Sequence, residues 1–178
     1  MNIPLPHVRR LVPILLGSVL AASAIATPVA ASESGLAVLR DATAPFHSIA
    51  AAGAAGYSVQ VYDTAGITCI ADPDGTGTMG IHFLDPALLG TIDPSRPQLV
   101  IYAPRHDGSL RLVAVEFLAL AAGWDAIHAS PPELFGQQFR LTTAPNRYGL
   151  PDFYELHVWA WQPNPLGMFN EWNPSVSC

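Results

Sequence analysis

The chain has 178 residues, a formal net charge of −6 and no lysine. An acidic chain lacks the basic surface that nucleic acids and anionic membranes require, so we expect neither as a partner. The absence of lysine also excludes Schiff-base chemistry and a phosphate-binding loop of the lysine-containing type.

The N-terminus is predicted to be a signal peptide. Residues 1–26 combine a pair of arginines, a short apolar run and small residues ending at Ala26, which is the pattern of a secretory signal. Cleavage is expected after Ala26, with Ala31 as the alternative. The apolar run is shorter than the roughly 20 residues of a spanning helix. We therefore expect a secreted or periplasmic protein with no membrane span after removal of the signal.

The remaining residues, 27–178, suffice for a single domain with one core. Residues 43–56 are rich in alanine, with Pro45 in the first turn, and predict a helix. Six β-branched or aromatic runs separated by proline, glycine and aspartate predict strands. These runs are residues 57–63, 79–84, 98–104, 110–120, 134–142 and 153–161. The predicted class is α+β, an N-terminal helix packed on a curved, mainly antiparallel sheet, with a small cupin-like β-barrel as the alternative.

The two cysteines, Cys69 and Cys178, predict one disulfide bond. Exported proteins mature in an oxidising compartment, and neither cysteine lies in a C-x-x-C setting typical of reactive thiols. The bond would tie the last residue of the chain to the region after the first predicted strand.

Three polar residues stand inside otherwise apolar predicted strands. Glu116 shares its strand face with Leu112 and Leu118, and an unpaired buried carboxylate is too costly to persist. It must therefore be protonated, hydrogen-bonded, paired with arginine or bound to a metal. His82 and His157 lie in two other strands, and a curved sheet can direct all three side chains into one cavity. Imidazole and carboxylate ligands suit zinc, iron, copper or manganese.

Two further residues are candidates for the same site. Glu155 lies two positions before His157, so both side chains point to one face and could chelate an ion or form a carboxylate–histidine pair. His47 would join them if the predicted helix packs over the opening of the sheet. Without a metal, a buried histidine–glutamate pair is suited to general acid–base catalysis. The residue pattern does not decide whether the protein is an enzyme.

Tryptophan is concentrated near the C-terminus. Trp159, Trp161 and Trp172 follow His157 closely, and they would form the aromatic wall of a pocket beside that histidine. A small satellite core that seals one end of the sheet is the alternative.

Several runs of the chain resemble a family of uncharacterised exported bacterial proteins. They are FHSIAAAGAAGY, GTMGIHF, RPQLVIYAPRHDGSLRLVAVEFL, PPELFGQQF and YELHVWAWQPNPLGMFNEWNPSVSC. The last contains an LHVWxWxxNPxGxFxxWNPxVxC-type motif and is the most specific. The resemblance covers nearly all of the mature chain and implies one coherent domain. It implies no activity and assigns no catalytic residue.

The sequence thus leads to two functional hypotheses. In the first, residues His82, Glu116 and His157, with His47 and Glu155, line a site for a divalent transition metal ion or a small molecule. In the second, the protein is a non-catalytic structural or interaction module of the cell envelope, and these residues form a buried hydrogen-bond network.

Overall fold

The fold is known from a computed structural model that describes Met1 and residues 28–178. The predicted signal peptide lies outside the described residues apart from Met1. The alternative cleavage site at Ala31 falls within the first helix described, Pro28–Thr43. In the part of the chain that is described, no helix has both the length and the apolar character needed to cross a bilayer.

The helices lie mainly before the sheet. The α-helices are α1 (Pro28–Thr43), α2 (Ile49–Ala54) and α3 (Ala121–Asp125), and 3₁₀ turns span Ala44–His47 and Pro86–Leu88. The predicted helix over residues 43–56 is wrong in its bounds, because its first part is a 3₁₀ turn and only Ile49–Ala54 is α-helical. Pro45 has no backbone N–H and disfavours helical geometry in the preceding residue, so α1 ends at Thr43. Ser48 then begins α2, and its side chain accepts a hydrogen bond from the Ala51 N–H.

The strands form one large antiparallel sheet and a separate small hairpin. They are β1 (Val59–Gln60), β2 (Cys69–Ala71), β3 (Thr78–Leu84), β4 (Leu99–Pro104), β5 (Leu110–Leu120), β6 (Glu133–Leu134), β7 (Gln137–Gln138), β8 (Arg140–Thr142) and β9 (Phe153–Val158). The order in the large sheet is β1-β3-β4-β5-β9-β8, with β2 also paired to β3, while β6 and β7 pair with each other. The predicted α+β class is confirmed, and the described strands form an open sheet rather than the alternative barrel.

One predicted strand is interrupted by a turn. The sequence predicts a single strand over residues 134–142, but Phe135 and Gly136 adopt positive φ angles of 55° and 71°. Two consecutive residues with this geometry make a tight hairpin turn, for which glycine is well suited. The segment therefore divides into the β6–β7 hairpin and β8, and β8 joins the large sheet beside β9.

The helices pack on one face of the sheet and leave the other face to smaller apolar clusters. Leu39 of α1 and Ala52 of α2 pack on one face. The strand residues of that face include Val100, Tyr102, Leu112, Val115 and Phe117. The opposite face carries two smaller apolar clusters, which contain Ile101 with Ala114 and Leu99 with Leu118. Any polar residue that alternates with Val115 and Phe117 therefore points away from the helices.

A register shift in β5 changes one expectation about these faces. The pairing Ile101–Ala114 is followed by Tyr102–Leu112, so Val113 is the extra residue of a β-bulge. Leu112 consequently packs on the helix-covered face. The prediction that it shares a face with Glu116 is wrong, because strict alternation does not continue through a bulge.

The C-terminal segment closes over the end of the sheet that holds β2 and β3. Asn173 exchanges two backbone hydrogen bonds with Thr78, at 3.1 and 3.2 Å. The predicted disulfide between Cys69 and Cys178 is confirmed, with 109 residues of sequence separation. The last residue of the chain is thereby covalently attached to β2.

Candidate functional site

Neighbouring strands place three polar side chains on the sheet face that the helices leave open. Glu116 of β5 and His157 of β9 are direct cross-strand partners. His82 of β3 pairs with Ile101 of β4, while the partner of Glu116 on β4 is Leu99. His82 and Glu116 therefore reach towards each other across the apolar surface of β4.

The three side chains form one buried cluster, which we call the His–Glu–His cluster. The Nε2 atoms of His82 and His157 are 3.4 Å apart. The Glu116 Oε2 atom lies 3.6 Å from the first and 3.8 Å from the second. Exposure of the three residues is only 2%, 5% and 3% for His82, Glu116 and His157. Among the residues that the structure describes, no other three histidine, cysteine or acidic side chains come together in this way.

Burial keeps both imidazoles neutral. Loss of hydration lowers the pKa of His82 from 6.5 to about 4; a backbone hydrogen bond at Gly80 opposes this shift, and the positive charge of Arg147 adds to it. The pKa of His157 is also well below its usual value, first because of burial and then because of His82 and Arg140. A neutral imidazole has a free lone pair on one ring nitrogen, and this neutral form is the one that binds metals.

Burial has the opposite effect on the carboxyl group. The pKa of Glu116 is raised well above its usual value, first by loss of hydration, then by the negative charge of Glu155 and a hydrogen bond with that residue. Burial therefore favours the protonated, neutral form of Glu116 in the metal-free protein, while its Oε2 atom stays in close contact with both neutral imidazoles. Such a cluster avoids the cost of an unpaired buried charge.

Glu155 lies beside the cluster and is already bound by other residues. Its carboxylate accepts a hydrogen bond from Arg140 at 2.6 Å and another from the Thr142 hydroxyl. Arg140 also contacts Glu171 at 2.7 Å. Glu155 thus connects the cluster to a surface arginine instead of contributing a fourth ligand atom to it. Arg140 and Thr142 alternate on β8, and this alternation is the sequence signal that would have identified them.

His47 lies apart from the cluster. The helical segments pack on the other face of the sheet, and the exposed His47 ring contacts Trp161 edge-on, with 4.4 Å between ring centroids. The expectation that a helix covers the opening beside His82 fails for this reason. The Trp161 indole N–H donates to the Thr43 hydroxyl at 3.1 Å, which fixes the indole on the helix side.

The three predicted pocket-wall tryptophans occupy different places. Trp161 packs with the helix-side core, and Trp159 is buried with Ile101 on the opposite face. Trp172 lines a polar cavity of about 310 Å³ together with His157 and Glu155. The aromatic residues therefore do not form one wall beside His157.

A second cavity reaches the cluster from the other side. It has a volume of about 180 Å³ and contains His82 and Glu116 among apolar residues. Tyr148, from the loop before β9, lines this cavity, and burial together with the nearby Glu116 raises the pKa of its hydroxyl. Sequence reasoning missed Tyr148 because nothing near it in sequence marks it as a neighbour of Glu116. A larger cavity of about 540 Å³, beside Arg105 and Cys178, contains none of the cluster residues.

The spacing of the ligand atoms is compatible with a metal ion. Ligands about 2.0–2.1 Å from a tetrahedral zinc ion are about 3.3–3.4 Å from one another, whereas neighbouring ligands of an octahedral ion at that bond length are about 3 Å apart. The observed separations of 3.4, 3.6 and 3.8 Å are nearer to the tetrahedral value. Two histidines and one carboxylate are also a ligand set of catalytic zinc sites, which keep a fourth position open.

Comparison with protein-family models, with curated proteins and with solved structures produced no match to this chain. The function is therefore inferred from the geometry of the His–Glu–His cluster and its surroundings.

Proposed function

We propose that the protein binds one divalent transition metal ion through Nε2 of His82, Nε2 of His157 and the carboxylate of Glu116. The observation that carries this proposal is the convergence of three buried ligand atoms at near-tetrahedral spacing. Zinc fits that spacing best, and iron, copper and manganese accept the same donor types. Three protein ligands leave one coordination position for water or a small molecule.

The surroundings of the cluster support this proposal. Both histidines are neutral, as metal binding requires, and Glu116 would exchange its proton for the ion. Glu155 is held by Arg140 and orients the Glu116 carboxyl from behind. Such outer partners fix ligand orientation in metal sites.

We also propose that the protein functions outside the cytoplasm, as a secreted or periplasmic protein. The Cys69–Cys178 disulfide fits an oxidising compartment. Membership in the family of exported bacterial proteins that the C-terminal motif resembles is part of the same proposal.

Metal analysis of the oxidised protein tests the function directly. The chelator-treated wild-type protein is expected to take up about one zinc ion per chain, and saturation at 100 times Kd should stabilise it by about 2.7 kcal/mol. His82→Ala and His157→Ala should each abolish stoichiometric uptake. His128→Ala is the matched control, because His128 is exposed and stacked on Trp124.

The proposal fails if the wild-type protein binds none of the four metals and gains no thermal stability from them. Uptake that survives both His82→Ala and His157→Ala would also contradict it. Glu116→Gln adds a separate criterion, since it preserves side-chain size and should weaken binding by removing the charged ligand.

A second candidate function is supported by the neutral state of the same cluster. His82 and His157 are within hydrogen-bonding distance of each other, and protonated Glu116 can donate a hydrogen bond to Glu155. The three groups would then form the buried network of a structural or interaction module in the cell envelope. In that case the histidine substitutions would reduce stability to the same extent with and without metal.

A further inference from the structure

The 180 Å³ cavity beside His82 and Glu116 has an apolar body and a polar end. Its walls come from strands β3, β4, β5 and β9, from the residue after β1 and from the loop before β9. They are formed by Val61, Leu84, Leu99, Leu118, Tyr148 and Phe153. Glu116 and His82 are nine-tenths or more buried and are the ionisable side chains that complete the lining, apart from the Tyr148 hydroxyl.

The rim of the cavity is unusually apolar for a protein surface. Leu89, Leu120 and Leu150 line it and are 41%, 45% and 39% exposed. Exposed apolar residues gathered around one opening indicate contact with an apolar molecule, whereas scattered ones carry no such meaning. None of the described residues that line the cavity is an arginine, so a charge on the part of a ligand that contacts these walls would lose its hydration without gaining a charged partner.

The volume limits the size of the ligand. A cavity of about 150 Å³ lined by aliphatic and aromatic side chains is large enough for benzene. The cavity beside His82, at about 180 Å³, is of the same size class. It therefore suits a single six-membered ring or a short alkyl chain.

The buried end of the cavity selects for a polar atom. The Glu116 carboxyl and the His82 imidazole are the polar groups there, and both belong to the His–Glu–His cluster. A ligand whose apolar body fills the cavity would bring its polar group to this end, next to the open coordination position of the metal.

We propose that this cavity is the binding site for a small molecule that has an uncharged, apolar body about the size of one ring and a single oxygen-bearing head group directed at His82 and Glu116. This inference rests on the proposed function, because the head group would occupy the fourth metal position. The apolar body, however, is recognised by the cavity walls alone.

Two probes separate the contribution of the apolar body from that of the metal-binding head group. Toluene represents the apolar body, and benzohydroxamic acid adds a metal-binding head to a ring of the same size. Calorimetric titration should show saturable toluene binding of similar affinity in metal-free and zinc-loaded protein. Benzohydroxamic acid should bind the zinc-loaded protein at least tenfold more tightly than the metal-free protein.

Substitutions in and near the cavity test whether toluene binds there. Leu118→Phe adds volume inside the cavity and should weaken toluene binding by about tenfold, in line with the loss of roughly 1.4 kcal/mol of apolar contact. Leu150→Asp changes only the exposed rim and should weaken binding without affecting folding. Leu141→Asp is matched to it, because Leu141 is similarly exposed (45% against 39% for Leu150) but does not line the cavity.

Failure of the cavity proposal can be distinguished from failure of the metal site. If zinc does not bind, the proposed function fails, while toluene binding still tests the cavity. If toluene binds neither form of the wild-type protein, or binds Leu150→Asp and Leu141→Asp equally well, the inference is overturned whatever the metal result. Undiminished binding of benzohydroxamic acid to zinc-loaded Leu118→Phe would overturn it too, because the head group would then reach the metal from another side.

Discussion

Burial determines the protonation of His82 and Glu116, and the two residues respond in opposite directions. Loss of hydration favours the neutral form of each group, which lowers the pKa of the histidine and raises that of the glutamic acid. Burial therefore favours the uncharged form of the metal-free cluster. A metal ion would replace the Glu116 proton and restore the ionised carboxylate that a ligand must have.

At the scale of single residues, we predict that His82 destabilises the metal-free protein in acid. Its folded-state pKa of about 4 lies below the ordinary 6.5, so the unfolded chain binds the proton first. The stability due to neutral His82 is fully present above pH 6.5 and is lost as the pH falls to 4. The wild-type protein should therefore lose about 3 kcal/mol relative to His82→Gln across this interval.

Urea unfolding with chelator present, repeated between pH 4 and 7, measures that difference. The contribution of Glu116 to stability changes with pH in the opposite direction. Its pKa is raised in the folded state, so the folded state becomes less stable as the pH rises through that pKa. Both proteins retain Glu116, so the comparison isolates the histidine. His128→Gln serves as control for the removal of an exposed histidine. Parallel curves for the wild type and His82→Gln would contradict the prediction.

At the scale of elements, the course of β3 determines where His82 points. Gly80 has a φ angle of +102°, and a Cβ atom there would lie 2.6 Å from the carbonyl oxygen of Tyr102. The strand can pass so close to β4 only because this residue has no side chain. The irregular pairing of β2 with β3 occurs at the same point, between Ile70 and Ala71.

We predict that Gly80→Ala lowers the free energy of unfolding by about 2–4 kcal/mol, through backbone strain together with the contact at Tyr102. Gly90→Ala is the matched control. Gly90 also has a positive φ, +87°, but no described atom lies within 4 Å of the position that a Cβ atom would take there, so only the strain of about 1 kcal/mol remains. Urea unfolding of both variants measures the difference. Equal destabilisation would show that the close approach to β4 is unimportant.

The elements also show what local sequence could and could not predict. Continuous runs of β-branched, aromatic and other apolar residues identified the central strands β3, β4, β5 and β9, because burial on both faces leaves a strong apolar signal. The bulge at Val113 was not predictable, since it depends on the pairing with β4. Helix α1 was missed because its sequence continues from the predicted signal region.

At the scale of the whole molecule, the disulfide joins the C-terminus to β2 and closes a loop of more than a hundred residues. Such a loop restricts the unfolded chain strongly. We predict that replacing both cysteines with serine lowers the free energy of unfolding by up to about 4.7 kcal/mol. Guanidinium unfolding measures the loss, and a reductant should destabilise the wild-type protein but not the double variant. Two free thiols in the native wild-type protein would contradict the prediction.

The composition and local patterns of the chain by themselves determined its class, its strand-rich core, its disulfide and the unusual position of His82, Glu116 and His157 in apolar strands. The class, the core and the polar positions depend on near neighbours in sequence and on the cost of burying polar groups, and the disulfide was predictable because the chain has two cysteines and a predicted export signal. Only the tertiary structure decided that the three side chains meet, that Glu155 is held by Arg140, and that His47 lies with the helices on the other face. Strand order and register control those contacts, and both arise from pairing between residues far apart in the chain.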